Sequence, residues 1–360
     1  MTSFIISKKA IQLSLVGLII GVFAFSFQCS KDSGTKPDPT PSGPLPLHTE
    51  GRWILNSENQ KMILRGVNIA HLEWSSDPEN MMLSVTTAID VWGANLIRLP
   101  LSQDRWFGHG AEQNDMGVAY QQLVRDLVAA CSERKAYMLI ELHWSDGGQW
   151  GQNIGQHKMP DKNSSTFWMA MVREFKDKPA VLFGLYNEPY EIGWKTWKNG
   201  AAMSYTWDRN GQEVLIEYDT YGFQFLANSI REAGAENLIV IGGIDWGYDL
   251  SGVLNGYAIS GTNIVYDTHC YPWKSTDWDG KWGDIGRQYP IIVGEWGGEY
   301  PDNEQYAQDI VAYLRENQFC WTAWDLHPTA APCLIEDWSY KPTWFGQLVM
   351  DELSEPVEIE

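Results

Sequence analysis

With 360 residues, 44% of them apolar, the chain has material for a large buried core. Its 26 basic against 46 acidic residues give a net charge of −20, which excludes a nucleic-acid binder and suits a neutral ligand. The 19 Trp, 16 Tyr and 12 Phe exceed ordinary usage and suggest a surface that stacks on flat, weakly polar molecules.

The N-terminus comes first. Lys8 and Lys9 precede "IQLSLVGLIIGVFAFSF", and then comes Cys29. A positive segment followed by an apolar run reads as a secretory signal over residues 1–28, with an uncleaved anchor as the alternative. "FSFQCSKD" resembles a bacterial lipoprotein box with Cys29 acylated, although Gln28 stands where a small residue is usual. Residues 29–46 are rich in Pro, Gly, Ser and Thr and read as a tether. The expectation is an exported chain, secreted or held at the cell surface or outer membrane by a lipid on Cys29. No other membrane contact is expected. Of the four remaining cysteines, Cys320 and Cys333 could bridge in an oxidising compartment, but four buried free thiols is the preferred reading. There is no CxxC and no zinc-ligand spacing, so neither a metal nor a cofactor is expected.

Residues 47–352 form the predicted catalytic domain, with an acidic tail over 353–360. "GRWILNSENQKMIL" reads as a β-hairpin turning at Ser57-Glu58-Asn59, placed to close the bottom of a barrel. Then eight short β-branched or aromatic runs alternate with helical patterns. The runs are "KMILRGVNIA", "ANLIRLPL", "AYMLIELHW", "VLFGLYNEP", "NLIVIGG", "NIVYDTHCY", "PIIVGEWG" and "FCWTAWDL". Helices are predicted between them, as in "MGVAYQQLVRDLVAACSERKA" and "VLIEYDTYGFQFLANSIREAGA". Eight βα units specify the α/β class and a (β/α)₈ TIM barrel. The rival doubly wound sheet lacks its Gly-rich phosphate turn after the first strand.

Barrel active sites lie where the strands end. The runs carry Arg98, then His143-Trp144, Asn187-Glu188, His269 with Tyr271, Glu295-Trp296, and Trp324. Two glutamates delivered to one rim by buried runs suit glycoside hydrolysis, in which one carboxyl protonates the leaving oxygen and the other attacks or stabilises the cationic carbon. Arg98 and Tyr271 could keep one glutamate ionised, and Trp324 could floor a sugar ring.

The ordered set "IRLP", "ELHW", "YNEP", "THCY", "VGEWG" and Trp324 resembles glycoside hydrolase family 5, the cellulase family of retaining barrel glycosidases. The resemblance implies Glu188 as general acid/base, Glu295 as nucleophile and Asn187 on the 2-hydroxyl of the reacting sugar. It implies that His143 and His269 bound the site, with His71 as a further member. It also implies a monomer acting as an endo-β-glycanase on a β-1,4-glucan, with β-mannan or another β-glucan as the alternative substrate. A surface lipoprotein that binds glycan without cutting it is the remote alternative.

Two residues depart from the family pattern. Asp325 follows Trp324 and either touches substrate or caps a loop. Cys270 between His269 and Tyr271 should face outward by strand alternation. Glu141 should be a buried partner of Arg98. His109 and His157, in polar loops, should be solvated, and His327 should lie near the rim. Trp194, Trp197, Trp207, Trp273, Trp278, Trp282, Trp338 and Trp344 sit in rim loops, and some of them are expected to stack on sugar.

Overall fold

The structure, a computed structural model, describes residues 43–209, 211–299 and 301–356. The signal segment and Cys29 lie outside the described residues, as do 357–360. The end of the expected tether already packs on the domain: Pro44 is buried, and the Leu45 carbonyl accepts a 2.7 Å hydrogen bond from the Tyr137 hydroxyl.

Twelve strands are present among these residues. They are β1 Leu47–Glu50, β2 Trp53–Asn56, β3 Arg65–Asn68, β4 Leu96–Ser102, β5 Tyr137–Trp144, β6 Val181–Gly184, β7 Ala201–Arg209, β8 Gln212–Thr220, β9 Ile239–Gly242, β10 Ile264–Cys270, β11 Ile291–Trp296 and β12 Cys320–Ala323. Eight of them, β3 to β6 and β9 to β12, pair in parallel and close into a barrel, the last pairing with the first through Trp321↔Arg65. All eight runs read from the sequence become these strands.

The hairpin at the barrel's base turns earlier than expected. β1 and β2 pair antiparallel across Gly51-Arg52, where Gly51 takes a positive φ of 57°. The expected turn after Asn56 is a second, tighter reversal. There the Asn56 side-chain oxygen accepts from the Glu58 and Gln60 amides, and one bridge joins Leu55 to Lys61. Leu47 and Ile54 of the hairpin pack on Leu64, Leu96, Leu182, Val265 and Ile292 at the strand starts, so it does seal the bottom.

Helices Met81–Asp90, Val118–Glu133, Lys162–Phe175, Phe223–Glu232, Glu304–Asn317 and Trp344–Ser354 cover the barrel. Asp161 starts the third with a capping box shared with Ser164. Only short helical turns follow β9 and β10.

One expected helix is half strand. "VLIEYDT" forms β8, and only Phe223–Glu232 is helical. Val214, Ile216 and Tyr218 alternate with charged or exposed residues, a period of two. β8 pairs with β7 over nine residue pairs, from Ala201↔Thr220 to Arg209↔Gln212, making a long hairpin between β6 and its helix.

Strand alternation sorts the polar residues. On β5, Met138, Ile140 and Leu142 face the helices, while Leu139, Glu141 and His143 point inward. On β10, Tyr266 and Cys270 face outward into the helix-side core, and Asp267 and His269 face in.

Candidate active site

Arg98 of β4 is the hub. It is fully buried and reaches four acceptors from four other strand ends or their loops. Nη1 donates to Asn68 Oδ1 at 2.8 Å and to Glu295 Oε1 at 2.7 Å. Nη2 donates to Asn187 Oδ1 at 2.8 Å and lies 3.2 Å from Glu141 Oε2. Burial works against its charge, and Glu141 and Glu295 outweigh that cost.

Glu295 ends β11. The Tyr271 hydroxyl donates to its Oε2 at 2.8 Å, and His269 Nδ1 stands 3.6 Å away. Burial alone would raise this carboxyl. His269, Arg98 and the Tyr271 hydroxyl overcome it and hold Glu295 below the ordinary range, so it is ionised at neutral pH. Burial likewise opposes a charge on His269, but Glu295, Asp267 and Glu188 push its pKa up to about 10. His269 therefore carries a proton on each ring nitrogen. Nδ1 donates to Glu188 Oε1 at 2.9 Å, and Nε2 lies 3.4 Å from Asp267 Oδ2.

His143 behaves oppositely. Burial, then Arg98, pulls its pKa down to about 3, so it is neutral. Its Nδ1 donates to Glu141 Oε2 at 2.9 Å, which leaves Nε2 to accept from the Asn187 amide at 3.2 Å. Burial pushes Glu141 up to about 8 against the pull of Arg98. Its place beside Arg98 is the one expected of it.

Asn187 and Glu188 lie beyond the end of β6, which stops at Gly184. The Asn187 N–H still bonds to the Leu142 carbonyl at 3.0 Å, so the chain stays tied to β5 as it leaves the sheet. That tie delivers the amide and the carboxylate to the rim. Gln156 holds the same stretch, donating to the Glu188 carbonyl at 3.0 Å and accepting from the Asn187 amide at 3.1 Å. One oxygen of Glu188 and one of Glu295 lie within 4.8 Å of each other.

These groups open into a cleft of about 700 Å³ lined by His143, Asn187, Glu188, Tyr271, Glu295 and Trp324. Trp324 stacks on His143 with centroids 5.6 Å apart. Two loop residues extend the aromatic surface. Trp273 is 70% exposed and stacks on Tyr271 at 4.6 Å, and Trp246, 40% exposed, stacks on Tyr190 at 3.8 Å. A larger hollow of about 950 Å³ lies at the barrel's other end, lined by Arg52, Arg65 and Arg315, far from the paired glutamates.

Eight of the expected site residues thus meet. His71 does not join them. It is buried beside the cleft, with Nε2 3.0 Å from Asp77 and its ring 6.4 Å from that of His327. His157 is a correction: it is fully buried, bonded to the Tyr205 hydroxyl and the Asn153 carbonyl, because the missed hairpin covers its loop. His109 is exposed and stacks on Trp150. Trp197 and Trp282 are fully buried in the core and offer no face to a ligand. Trp207 packs over His157 and Gly155. Asp325 anchors its loop through its backbone, which pairs with Pro332, His327 and Leu334. Its side chain is wholly buried, and burial followed by Glu73 pushes its carboxyl well above the ordinary range. Cys131, Cys270, Cys320 and Cys333 are free thiols, Cys333 only half-buried.

Sequence reading missed Asn68, Gln156, Trp246 and Asp267. Asn68 and Asp267 share the inward parity of their strands and could have been found that way. Gln156 is in an irregular loop with no local signal.

A family model for cellulase, glycosyl hydrolase family 5, matches residues 55–330. The chain belongs to glycosyl hydrolase family 5. Among curated family relatives, Cellulase CelDZ1 of Thermoanaerobacterium sp is 22% identical over 295 residues, covering 78% of this chain and 70% of that one. A mannan endo-1,4-beta-mannosidase of Salipaludibacillus agaradhaerens is 21% identical over 321 residues, covering 85% and 88%. The crystal structure of beta-glucanase SdGluc5_26A from Saccharophagus degradans superposes with a TM-score of 0.69 at 21% identity, covering 89% of this chain and 98% of that one.

Proposed function

We propose that the chain is a retaining endo-β-glycanase that cuts β-1,4-glucan by double displacement. The observation that carries this reading is the approach of Glu188 and Glu295 to within 4.8 Å, oxygen to oxygen. Retaining glycosidases hold their carboxyls about 5–5.5 Å apart, whereas inverting ones leave roughly 6.5–9.5 Å for a water.

The division of labour follows from the partners. Glu295, kept ionised by Arg98, His269 and Tyr271, attacks the anomeric carbon. Glu188 gives its proton to the departing oxygen. His269 Nδ1–H occupies Glu188 Oε1, so Oε2 is the oxygen free to carry that proton. The bond from carbon to the leaving oxygen breaks as the bond to Glu295 forms. Glu188 then takes a proton from water, which displaces Glu295 and restores both groups with the original configuration. Asn187, its amide fixed by Arg98 and His143, faces the same cleft and suits the 2-hydroxyl. Trp324 floors the reacting sugar, and Trp246 and Trp273 extend the stacking surface for neighbouring sugars of a polymer.

β-Mannan is the second reading, favoured by the mannosidase relative that aligns over 88% of its length. Export with acylation at Cys29 is part of the same proposal, supported by the charged and apolar segments before it. Reducing-sugar release from soluble β-1,4-glucan and β-1,4-mannan tests the substrate. Proton NMR of the first product tests the mechanism. The β-anomer should appear first, and an α-anomer would require inversion.

A further inference from the structure

His71 follows β3 and His327 follows β12, the two strands that close the ring. Between their side chains stands Glu79. Its Oε2 lies 3.1 Å from His71 Nδ1 and 3.2 Å from His327 Nε2. Both histidines are more than nine-tenths buried. The contact to His71 is close without being a hydrogen bond: Nδ1 has no hydrogen-bond partner, because the oxygen stands off the ring nitrogen's axis.

We propose that His71 Nδ1, Glu79 Oε2 and His327 Nε2 form a site for a divalent transition ion of the zinc class. The three atoms lie within 4.8 Å of one another. A tetrahedral ion with bonds of about 2.0–2.1 Å places neighbouring donors roughly 3.3–3.4 Å apart, close to both measured spacings. At His71 the off-axis carboxylate leaves the Nδ1 lone pair to the ion, whereas at His327 the ion would replace the present 3.2 Å hydrogen bond between Nε2 and Glu79 Oε2. Two imidazoles with one carboxylate select zinc-like ions over calcium or magnesium, which prefer all-oxygen sets.

The surroundings fit. Asp77 Oδ1 lies 3.0 Å from His71 Nε2, which fixes the proton there and turns the Nδ1 lone pair inward. Asp77 is itself held by the Ser75 hydroxyl and the Glu79 amide. On the other side Thr329 Oγ1, 3.3 Å from His327 Nδ1, accepts the proton that nitrogen carries once Nε2 is a ligand. The Thr329 amide now donates to Nδ1 at 3.1 Å and must draw back when the ion binds. The ion would pin the loop after β3 to the loop after β12, whose Ala331 and Pro332 form one wall of the cleft.

Glu188, His269 and Glu295 make a second cluster of metal-competent atoms, so the test must separate the two. Full-length protein stripped by a chelator is titrated with Zn²⁺ by calorimetry, beside Glu79→Gln, His327→Gln, Asp77→Asn and Glu295→Gln variants whose folding is checked by circular dichroism. One Zn²⁺ per chain should bind the parent and Glu295→Gln alike. Asp77→Asn should weaken it by roughly 10–100-fold, and Glu79→Gln and His327→Gln should abolish it. Co²⁺ added to the unmutated protein should give the intense visible absorption of a tetrahedral site, a readout that needs no variant. Zn²⁺ binding that survives Glu79→Gln, disappears with Glu295→Gln, or is absent from the parent overturns the proposal, as does a weak octahedral Co²⁺ spectrum.

Discussion

Replacing Arg98 by Met keeps an apolar stem of similar reach and removes the one guanidinium that five strand ends share. Glu295 is left with 6% of its side chain exposed and Glu141 with 1%, so water cannot take over. Breaking a buried ion pair from one side costs about 3–5 kcal/mol. The Asn68 and Asn187 side-chain oxygens also lose their donor, each worth about 1 kcal/mol or more. About 5 kcal/mol is then a floor, out of a typical total of about 5–15 kcal/mol. In a domain this large each kcal/mol moves the midpoint by about 2 °C, so melting should fall by roughly 10 °C or more. The sign of the pH effect follows from Glu295. Its folded carboxyl sits below the ordinary value, so its stabilisation is present above that value and is lost as pH falls through the folded one. The gap between parent and Arg98→Met should be full at neutral pH and narrow in acid. Glu141, already pushed up to about 8 beside Arg98, takes a proton when the guanidinium is gone. Adding Glu141→Gln should therefore change the loss little and leave Glu295 as the stranded charge. Differential scanning calorimetry of all four proteins gives the cycle. A variant melting within about 2 °C of the parent at neutral pH would refute the hub as described.

Glu188→Ala should cut polymer hydrolysis by roughly 10²–10⁴-fold. It should still form the glycosyl-enzyme from an aryl glycoside with an acidic phenol, and azide should restore turnover to a β-glycosyl azide; a β-azide from Glu295→Ala instead would reverse the two roles. Tyr271→Phe keeps the ring stacked on Trp273 but removes a donor from ionised Glu295, so the acidic limb of the kcat/KM profile should move to higher pH; an unmoved limb would deny that hydroxyl its role. Trp273→Ala should weaken hydrolysis of polymer more than of a short aryl glycoside, and equal losses would make this residue part of the fold. Cys29→Ala should release the protein from the membrane fraction, and equal retention would favour an uncleaved anchor.

The barrel was legible because buried parallel strands are short apolar runs whose last inward residues are free to be polar. Arg98, His143, His269 and Glu295 stand out for that reason. The hairpin β7–β8 was not read, although Asn210-Gly211 between alternating stretches is a strong turn signal. Its Tyr and Trp residues, set among Gly and Lys, suggested a ligand platform instead. That error carried two others with it, since the hairpin buries both His157 and one face of Trp207. Trp197 was misjudged by location alone: its indole N–H reaches the Gly242 carbonyl at 2.8 Å, so a rim loop can send a side chain back into the core. The grouping of Glu79 with His327, 248 residues apart, exists only once the ring closes.

The hairpin also divides the chain in a way useful to an engineer. Its two ends, Ala201 and Thr220, face each other as a rung of the ladder, so the segment leaves and re-enters the barrel at one point. Near the root, Tyr205 and Tyr218 are bonded to the loop beneath, and changes there should disturb the cleft. Toward Gly211 the residues are exposed, and a side chain added at that glycine would meet only open space. Nine residues at about 3.4 Å each carry that tip roughly 30 Å from the root along the ladder. A guest domain or affinity tag spliced at Gly211 would ride at the end of a boom, away from the tyrosines that tie the root to the barrel.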